Sequence, residues 1–418
     1  MTARDRRARL SAYAAFAIQG LCFATLVTRV PQVQDAHGIG DALLALVLLL
    51  VPVIAGVGSV VAGSLFARFG SGPVLRVAQP AVCVAMVLVG STGGHLAPLF
   101  VATALFGTFV GAVDAAMNAQ AVAVERRHGM SLLTGFYAVW SVAGILGGLW
   151  VALANRLDLG LFSGFVVPAA LGVLVSLVTG PGLFRKDEEG TAPSAEELKA
   201  AARRVPWRPV LIVGVALGVF YLADSVVSNY SAKFLQDELR ASDFAAPLGY
   251  VAYQVAMVVT RAAADFGVRR YGAVLVIRLG GAVGLAGMVL VVIAPGPVTA
   301  IAAFAVAGLG LSVVAPVAFS AAGRVDPTGL GVAVARLNVF NYVGFVLGAA
   351  IAGALASSGL RLVFLVPAVL VVTIVVVANG FAPRPVTATA ARGEEDGKAL
   401  TPPALPEADP EPPRAPHA

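Results

Sequence analysis

The feature of this 418-residue chain that most constrains its fold is a series of apolar stretches, each about 20 residues long. That length is what an α-helix needs to cross the hydrocarbon core of a bilayer. Hydrophobic residues make up 58% of the chain and charged residues only 12%, whereas soluble domains have about 25% charged residues. We therefore predict an integral membrane protein, and the net charge of +6 does not indicate a nucleic-acid partner.

Twelve such stretches predict the transmembrane helices of an all-α membrane protein. They cover roughly residues 11–30, 41–64, 77–94, 97–122, 131–153, 161–180, 208–231, 243–263, 273–294, 297–320, 331–356 and 360–380. A polar segment divides them six and six. The predicted domains are an N-terminal six-helix half (1–180), a linker (181–207), a C-terminal six-helix half (208–382) and a disordered cytoplasmic tail (383–418). Within the linker, Ser-Ala-Glu-Glu at 194–197 predicts a capping box that opens a short amphipathic helix.

The basic residues predict the orientation of the chain. With a cytoplasmic N-terminus, only five of the 29 Lys and Arg residues fall outside: Arg29, Arg156, Lys233, Arg240 and Arg361. Cytoplasmic loops carry an excess of basic residues, so we expect both termini in the cytoplasm. No small-residue cleavage site follows the first apolar run, which predicts an uncleaved span. The predicted location is a bacterial cytoplasmic (inner) membrane, crossed many times.

An internal repeat relates the two halves. Arg68-Phe69-Gly70 recurs as Arg270-Tyr271-Gly272, 202 residues later. Glycine pairs recur at nearly the same offset, namely Gly107 with Gly308, Gly144 with Gly344 and Gly148 with Gly348. Two homologous halves in parallel orientation are typical of secondary transporters. The repeat therefore predicts two pseudo-symmetric six-helix halves.

The turn after the second span carries part of a family motif. Gly63, Arg68 and Gly70 match G-x-x-x-D-R-x-G-R-R, with Ala67 at the acidic position. The second half keeps similar residues, Asp265, Arg269 and Arg270. With twelve spans in two halves, the chain resembles the major facilitator superfamily. The resemblance implies that superfamily's fold and a gating role for the motif residues. Arg336 of span eleven is a further gating candidate, because it could pair with an acid across the interface of the halves.

Three further segments point to one branch of the superfamily. Residues 28–31 (Thr-Arg-Val-Pro), 114–126 and 135–144 are similar to bacterial proteins of the fucose-permease-like branch. The resemblance covers about residues 10–380 and implies transport of a sugar. Some sugar–proton symporters of the superfamily use an acid on the fourth span, and Asp114 occupies that span here.

One face of the fourth span combines small and polar side chains. Gly107, Gly111, Asp114 and Asn118 share this face of the helix. Small residues let another helix approach closely. A carboxylate in an apolar span is costly unless it faces a protein or water-filled interior. Asp114 is therefore the first candidate for proton coupling, and the alternative is a structural acid hydrogen-bonded to Asn118 or to the other half.

Two more acids are candidates for proton coupling. Glu125 lies at the cytoplasmic end of the fourth span beside Arg126 and Arg127, where a gate-closing charge cluster is the alternative. Asp224 lies near the outer end of the seventh span, where it could instead be a hydrogen-bonded acid of the outer vestibule.

Polar and aromatic side chains in five spans predict the lining of a substrate cavity. These are Gln19, Asn118, Tyr137, Trp140, Tyr253, Gln254, Asn338 and Asn341. Amides can both donate to and accept from hydroxyls, which suits a sugar or another polyol. Aromatic rings can stack on a sugar or a drug-like ring, although a single ring more often serves helix packing or interface anchoring, so the prediction concerns the group and not any one member.

These features favour secondary active transport over other classes of function. Our first interpretation is proton-coupled uptake of a sugar or similar polar metabolite by a monomer, and the alternative is proton-driven efflux of a drug or natural product. The exporter motif G-x-x-x-G-P-x-x-G-G is incomplete in span five, where Gly144 and Gly148 occur without the proline. An enzyme is not expected, because no catalytic grouping lies within the spans. A channel or receptor is disfavoured by the repeat.

The remaining chemistry-bearing residues do not predict a bound group. Cys22 and Cys83 lie in separate apolar runs, and the four histidines lie near segment ends or in the tail. No P-loop is present, so transport is expected to use a gradient or no energy source at all. We expect no cofactor and no metal, and the predicted partners are a small-molecule substrate, protons and the lipid bilayer.

Overall fold

A computed structural model describes residues 2–128, 132–189, 195–326 and 332–382. Within them, the side chains of residues 67, 134, 195, 198 and 262–265 are not described. The predicted disordered tail, the first residues of the capping box and the side chain of Asp265 therefore lie outside the described residues.

Every long regular element of the described residues is an α-helix. In chain order the helices are α1 Ala3–Val27, α2 Val30–His37, α3 Asp41–Phe69, α4 Ser71–Gly90, α5 Leu96–His128, α6 Leu133–Arg156, α7 Leu161–Thr179, α8 Ala195–Arg204, α9 Trp207–Lys233, α10 Leu248–Tyr271, α11 Ala273–Ile293, α12 Pro297–Leu311, α13 Val314–Val325, α14 Val332–Ala356 and α15 Leu360–Val377. Short 3₁₀ or π-helical turns follow α7, α9 and α15 and also lie in the linker. The all-α prediction is confirmed.

Eleven helical segments of the described chain are long and apolar enough to cross a membrane. They correspond to eleven of the twelve predicted spans. The predicted eighth span is α10, which is a helix of 24 residues but falls outside these eleven. Its polar side chains, including Tyr250, Tyr253, Gln254 and Arg261, lower its apolar character. These side chains belong to the candidate site described below.

Two of the predicted spans are broken, and a proline follows each break. The first span ends at Val27 and α2 begins at Val30, while the tenth ends at Leu311 and α13 begins at Val314. A proline has no N–H, and its ring clashes with the carbonyl four residues earlier. Pro31 acts on the carbonyl of residue 27 in this way, and Pro316 on that of residue 312. The continuous span predicted over 297–320 is therefore two helices.

Both halves use the same helix pairs. In the first half α1 packs on α6, α3 on α5 and α4 on α7; in the second half α9 packs on α14, α10 on α12 and α11 on α15. The repeated turn also has the same backbone, because Gly70 has φ 84° and ψ 164° and Gly272 has φ 82° and ψ 154°. A positive φ of this size favours glycine at both positions. The sequence repeat thus corresponds to a repeated arrangement of helices.

We call the end of the bundle that holds the N-terminus and the linker the linker end, and the opposite end the far end. The halves pack on each other through α3 with α14 and α6 with α10. Near the far end these pairs are tight, since Gly148 lies against Val251 and Gly353 against Ala45.

The α3–α14 pair opens toward the linker end. Ala45, Gly56, Ser59 and Gly63 share one face of α3. Ala45 touches α14 and Ser59 lies near the Tyr342 hydroxyl, whereas a side chain added at Gly63, on the linker side of Ser59, would meet open space. The described structure is therefore closed at the far end and open on the linker side of the Ser59–Tyr342 contact.

Candidate substrate and proton site

The centre of the bundle contains four hydrogen-bonded side chains that join the two halves. Asp114 of α5 accepts a hydrogen bond at Oδ2 from the Tyr342 hydroxyl of α14, at 2.9 Å. Asn118 donates from Nδ2 to the Asp114 carbonyl oxygen at 2.9 Å and to its Oδ1 at 3.3 Å. The Tyr137 hydroxyl of α6 donates to Asn118 Oδ1 at 2.8 Å. A carboxylate, an amide and two phenols therefore form one polar group, which we call the central chain.

The small residues of α5 place the central chain where the halves meet. A side chain at Gly111 would overlap the Ala55 carbonyl of α3, so the two backbones are in close contact there. Asp114 follows Gly111 on the same helix face. The Asp114 carboxylate therefore lies beside α3, where it reaches Tyr342 of the other half. The predicted close packing on this face is what brings the acid to the interface.

A second acid lies nearer the far end. Tyr253 donates from its hydroxyl to Asp224 Oδ1 at 3.0 Å, and Gln254 donates from Nε2 to the Tyr250 hydroxyl at 2.8 Å. Tyr250, Tyr253 and Gln254 are all buried. Tyr221, which precedes Asp224 by three residues on α9, lies within electrostatic range of both Asp114 and Asp224. Tyr221 therefore lies near both acids.

A second contact between the halves involves a basic residue. Arg261 of α10 donates from Nη1 to Ser141 Oγ of α6 at 3.3 Å. Ser141 is fully buried. Together with Tyr342 and Asp114, this pair gives each interface between the halves a polar contact inside the bundle.

The predicted site residues fall into four groups. Asp114, Asn118 and Tyr137 belong to the central chain, while Asp224 is the second acid, Tyr253 is bonded to it and Gln254 is bonded to Tyr250. Gln19 and Trp140 lie in the packing of α1 on α6: Gln19 is buried with an unpaired Oε1, and Trp140 packs against the ring of Phe23. On α14, Asn338 is exposed and Asn341 is half-buried.

Sequence reasoning missed six residues of this region, Ser59, Ser141, Tyr221, Tyr250, Arg261 and Tyr342. Arg261 could have been found, because a basic residue inside an apolar span is itself a functional signal. Tyr342 follows the predicted Asn341, and successive residues of a helix point about 100° apart. The prediction therefore selected the turn of α14 that carries Tyr342 but not Tyr342 itself, and Asn341 stays a predicted substrate contact.

Lys233 closes the far end of the bundle. Its Nζ pairs with Asp41 Oδ1 of the first half at 3.0 Å and with Asp237 Oδ2 of its own half at 2.5 Å. It also donates to Gln34 Oε1 at 2.5 Å, and Gln34 in turn donates to Asp41. Burial, helped by the charge of Asp237, raises the pKa of the nearby Asp35 carboxyl. We call Lys233, Asp41, Asp237 and Gln34 the far-end latch.

Arg29 stabilises the first-half loop beside the latch. Its side chain is 1% exposed, and it donates to the carbonyls of Gly160 at 2.9 Å and Leu159 at 3.0 Å. It also donates to Asn155 Oδ1 at 3.1 Å, while Asn155 donates to the Asp243 carbonyl of the second half at 2.8 Å. The buried guanidinium therefore holds a loop that contacts the other half.

At the linker end, residues 180–189 bind to the first half; we call them the first-half anchor. The Glu189 carboxylate accepts hydrogen bonds from the Ser71 N–H at 2.8 Å and the Gly72 N–H at 3.2 Å, at the start of α4. Gln120 donates to Glu189 and accepts from the N–H of the fully buried Phe184. A carboxylate is favourable at a helix N-terminus.

Charged residues reinforce the first-half anchor. Arg4 forms two hydrogen bonds with the Glu188 carboxylate, at 2.8 and 2.5 Å, and Arg127 donates to the Glu188 carbonyl at 2.9 Å. The Arg4 guanidinium, whose hydrogen bonds are the largest cause, lowers the pKa of Glu188 to about 2. The guanidinium groups of Arg4 and Arg127 also both lie over the ring of Phe184, in cation–π contacts.

Arg336 joins the linker to the second half. Its guanidinium donates to the carbonyls of Ala202 at 2.6 Å and Val205 at 2.7 Å, at the end of α8, and stacks on the Trp207 ring at 4.0 Å. In this structure its hydrogen bonds go to backbone carbonyls of the linker. Its predicted pairing with an acid across the interface is not what these contacts show.

The other predicted gating residues lie at the linker end. Arg68 is exposed and stacks on Phe69, and the turn glycine Gly70 lies against Lys186 of the first-half anchor. Gly63 faces open space, as described above. Arg269 and Arg270 are exposed at the end of α10. Asp265 lies among the side chains that are not described, so its predicted role stays a prediction.

Glu125 has a position that favours a structural contact. Its Oε2 accepts hydrogen bonds from the N–H groups of Leu132 and Leu133, both at 3.2 Å, where α6 begins. These N–H groups have no partner within the helix. Its candidacy for proton coupling stays a prediction.

The described residues contain no metal-binding cluster, since no group of three or more His, Cys, Asp or Glu residues among them could hold a metal ion. Cys22 and Cys83 are buried free thiols with sulfur atoms 3.6 Å apart.

Comparison with known proteins identifies the family. The profile described as Major Facilitator Superfamily matches residues 12–330 and, in a second alignment, 213–412. The uncharacterized transporter y4wD of Sinorhizobium fredii is 29% identical over 370 residues, which are 87% of this chain and 96% of the relative. An uncharacterized MFS-type transporter of Yersinia pestis is 30% identical over 371 residues, which are 88% and 94% of the two chains. Membrane protein MosC of Rhizobium meliloti is 26% identical over 355 residues, 84% and 85% of the two chains.

Solved structures show the same fold. The nucleoside transporter NupG has a TM-score of 0.70 and 14% identity, covering 92% of this chain and all of that one. A point mutant of NupG has a TM-score of 0.71 and 13% identity, covering 91% of this chain and all of that one. At this level of identity the likeness concerns the fold alone. The family profile and the curated relatives show that this multi-pass membrane protein is a transporter, not an enzyme, and that it belongs to the major facilitator superfamily.

Proposed function

We propose that this transporter takes up a sugar or a similar polar metabolite together with protons, by alternating access between its two halves. The observation that carries the proposal is the central chain, in which Asp114 is hydrogen-bonded to Tyr342 of the other half and to Asn118. A carboxylate inside the membrane is costly and marks a functional site by default. The surrounding amides and phenols both donate and accept hydrogen bonds, as the hydroxyls of a polyol require. The resemblance to the fucose-permease-like branch supports the same substrate class.

The proposed orientation places the linker end and both termini in the cytoplasm of a bacterium, at its inner membrane. The excess of Lys and Arg at the linker end supports this orientation. The closed far end and the open linker side then correspond to an inward-facing state. Loading from outside requires the far-end latch to open while the linker end closes. A single chain carries both halves, so the proposed transporter works as a monomer.

Protonation of Asp114 is the proposed coupling step. The ionised carboxylate can only accept hydrogen bonds, whereas the protonated acid carries one O–H donor. Taking up a proton therefore changes which hydrogen bonds Asp114 can make with Tyr342 and Asn118. Because Tyr342 belongs to the other half, the protonation state of Asp114 alters a contact between the halves. Substrate hydroxyls that replace the Tyr342 bond would couple binding to the same change.

The alternative function is proton-driven efflux of a drug or natural product. One observation favours it: Phe23 lies with its ring centroid 5.8 Å from Trp140 and 6.2 Å from Phe345 of the other half. Such a group of rings would suit a flat, apolar substrate.

The first test is a thermal-shift panel on purified protein, with sugars, polyols and hydrophobic drugs. Compounds that raise the unfolding temperature are then assayed in proteoliposomes for uptake driven by a pH gradient. We expect a sugar or polyol among the stabilising compounds. Stabilisation by hydrophobic drugs only would replace the uptake proposal with the efflux alternative.

The coupling step has its own variant. Asp114→Asn should lower uphill accumulation by at least an order of magnitude, because the amide cannot carry the transported proton. Counterflow exchange, which needs no proton gradient, should stay largely intact. Asp158→Asn makes the same chemical change at an exposed far-end position and should accumulate substrate normally. Accumulation by Asp114→Asn at the wild-type level would refute a coupling role for Asp114.

A further inference from the structure

The junction between the linker helix α8 and α9 exposes a cluster of basic side chains. Lys199, Arg203, Arg204 and Arg208 are all exposed there. The two acidic residues of α8 lie in its first turn, whereas the arginines occupy its last turn and the start of α9. Positive charge is therefore concentrated on the side of α8 next to α9. We call these four residues the basic cluster.

An exposed apolar stripe begins beside the basic cluster and runs along α9. Trp207 is 59% exposed, Leu211 51% and Val215 36%. Residues four apart lie on one face of a helix, so the three side chains form a continuous stripe. Its direction is from the linker end toward the middle of the bundle, because α9 runs that way. An amphipathic ring such as Trp207 favours the boundary between headgroups and hydrocarbon.

The cluster and the stripe are held in one geometry by Arg336. Its guanidinium binds the carbonyls of Ala202 and Val205, which flank Arg203 and Arg204, and stacks on Trp207. Arg336 belongs to α14, which also carries Tyr342 of the central chain. The last turn of α8, the Trp207 ring and α14 are therefore joined by one half-buried side chain. The residues that would contact a ligand on this surface are therefore held in position before the ligand binds.

We propose that this surface binds an anionic phospholipid of the bilayer. The lipid phosphate and its net negative charge are held by the basic cluster, and an acyl chain lies along Trp207, Leu211 and Val215. Charge complementarity identifies the lipid as anionic, because basic residues at a membrane surface attract acidic headgroups. The apolar stripe identifies a lipid rather than free phosphate, which has no apolar part. Through Arg336, the bound lipid stabilises the packing of α8 and Trp207 on α14.

The test uses the fluorescence of Trp207 in full-length protein. Replacing the other two tryptophans, by Trp140→Phe and Trp150→Phe, leaves Trp207 as the only one. The protein is reconstituted into phosphatidylcholine vesicles that contain a small fraction of either brominated phosphatidylglycerol or brominated phosphatidylcholine. Bromine quenches tryptophan on contact. We expect brominated phosphatidylglycerol to quench several-fold more strongly, and excess inorganic phosphate not to reverse this quenching.

Matched variants locate the binding to the basic cluster. Arg203→Gln with Arg204→Gln should lower the preference for phosphatidylglycerol, by roughly fivefold for each arginine. Arg6→Gln with Arg7→Gln removes the same charge from exposed positions of the first half and should leave the preference unchanged. If the double tryptophan replacement does not fold, the ratio of phosphatidylglycerol to phosphatidylethanolamine that copurifies with the wild type and with each arginine variant gives the same comparison.

Three outcomes would overturn the proposal. Equal quenching by both brominated lipids would show that Trp207 meets only bulk lipid. Reversal by inorganic phosphate would show a site for the free anion. Absence of quenching by either lipid, together with a dimeric mass, would show that a second copy of the chain covers the stripe.

Discussion

At the scale of single residues, the contribution of the Glu188 charge to the stability of the fold depends on pH. Its carboxylate receives two hydrogen bonds from Arg4, which lower its pKa to about 2. An unperturbed glutamate has a pKa of about 4.3. A folded pKa below the unfolded one means that the ionised pair stabilises the fold above about pH 4.3, and that this stability is lost as the pH falls toward 2.

We therefore expect Glu188→Gln to lower the unfolding temperature at pH 7, by an amount equivalent to about 1 kcal/mol for a partly exposed pair. The difference from the wild type should shrink as the pH is lowered from 5 to 3 in thermal-shift measurements. Asp187→Asn removes an exposed carboxylate from the adjacent residue and is the control. A difference that stays constant with pH would show that Glu188 acts through something other than its charge.

Residues of the candidate site could be predicted only as far as local rules reach. Asp114 and Asn118 share a helix face by their spacing, and the structure joins them. Tyr342 lies 228 residues away in sequence, and its contact with Asp114 depends on how α14 is rotated against α3. Periodicity within a span does not determine rotation against a helix of the other half. For that reason the acid was predictable and its partner was not.

At the scale of helices, glycines set how closely neighbouring spans approach. A side chain at Gly111 would overlap the Ala55 carbonyl, so α5 and α3 touch through their backbones there. At Gly63 of α3 the same change would meet open space. The two glycines therefore belong to the same pair of helices but differ in their surroundings.

We expect Gly111→Ala to destabilise the protein by about 1–3 kcal/mol, because the added methyl group forces the two helices apart. Gly63→Ala should be neutral or slightly stabilising, since alanine favours a helix over glycine by roughly 0.5–1 kcal/mol. Chemical denaturation in detergent, monitored by circular dichroism, measures the change in the free energy of unfolding for both variants. Equal effects of the two substitutions would contradict close packing at Gly111.

The length of each apolar stretch predicted that a helix lies there, but it did not predict where the helix begins and ends. The first span extends back to Ala3, although its first turns carry several arginines. Contacts such as those of Arg4 with the first-half anchor allow charged residues to continue the helix outside the apolar zone. The break before Pro316 was also predictable in principle, because proline cannot bond to the preceding turn. The length of an apolar stretch alone predicts neither the extension of α1 to Ala3 nor the break before Pro316.

At the scale of the whole molecule, the far-end latch is an ion pair between halves. Lys233 pairs with Asp41, whereas Arg361 pairs with Glu238 inside the second half at 2.8 Å. Removing the first pair should weaken the contact between halves, and removing the second should not. The two basic residues thus provide a matched comparison at one end of the bundle.

We expect Lys233→Gln to increase the population of states that are open at the far end. Spin labels at Leu157 and Val298, which are exposed positions on the two halves, report the distance between the halves at the far end in double electron–electron resonance experiments. The distance distribution of Lys233→Gln should gain a longer component that Arg361→Gln lacks. Identical distributions for the two variants would show that the latch does not control opening.

The linker is held to each half by a different set of contacts, and this limits how the halves can move. Glu189 is bound to the first half and α8 to the second through Arg336. Only six peptide units separate residue 189 from residue 195, where α8 begins, so covalent geometry limits that distance to about 20 Å. While both sets of contacts hold, the linker acts as a tether of fixed maximum length. The widest opening at the linker end is then set by the length of the chain, and inserting residues at 190–194 would extend it without altering either half.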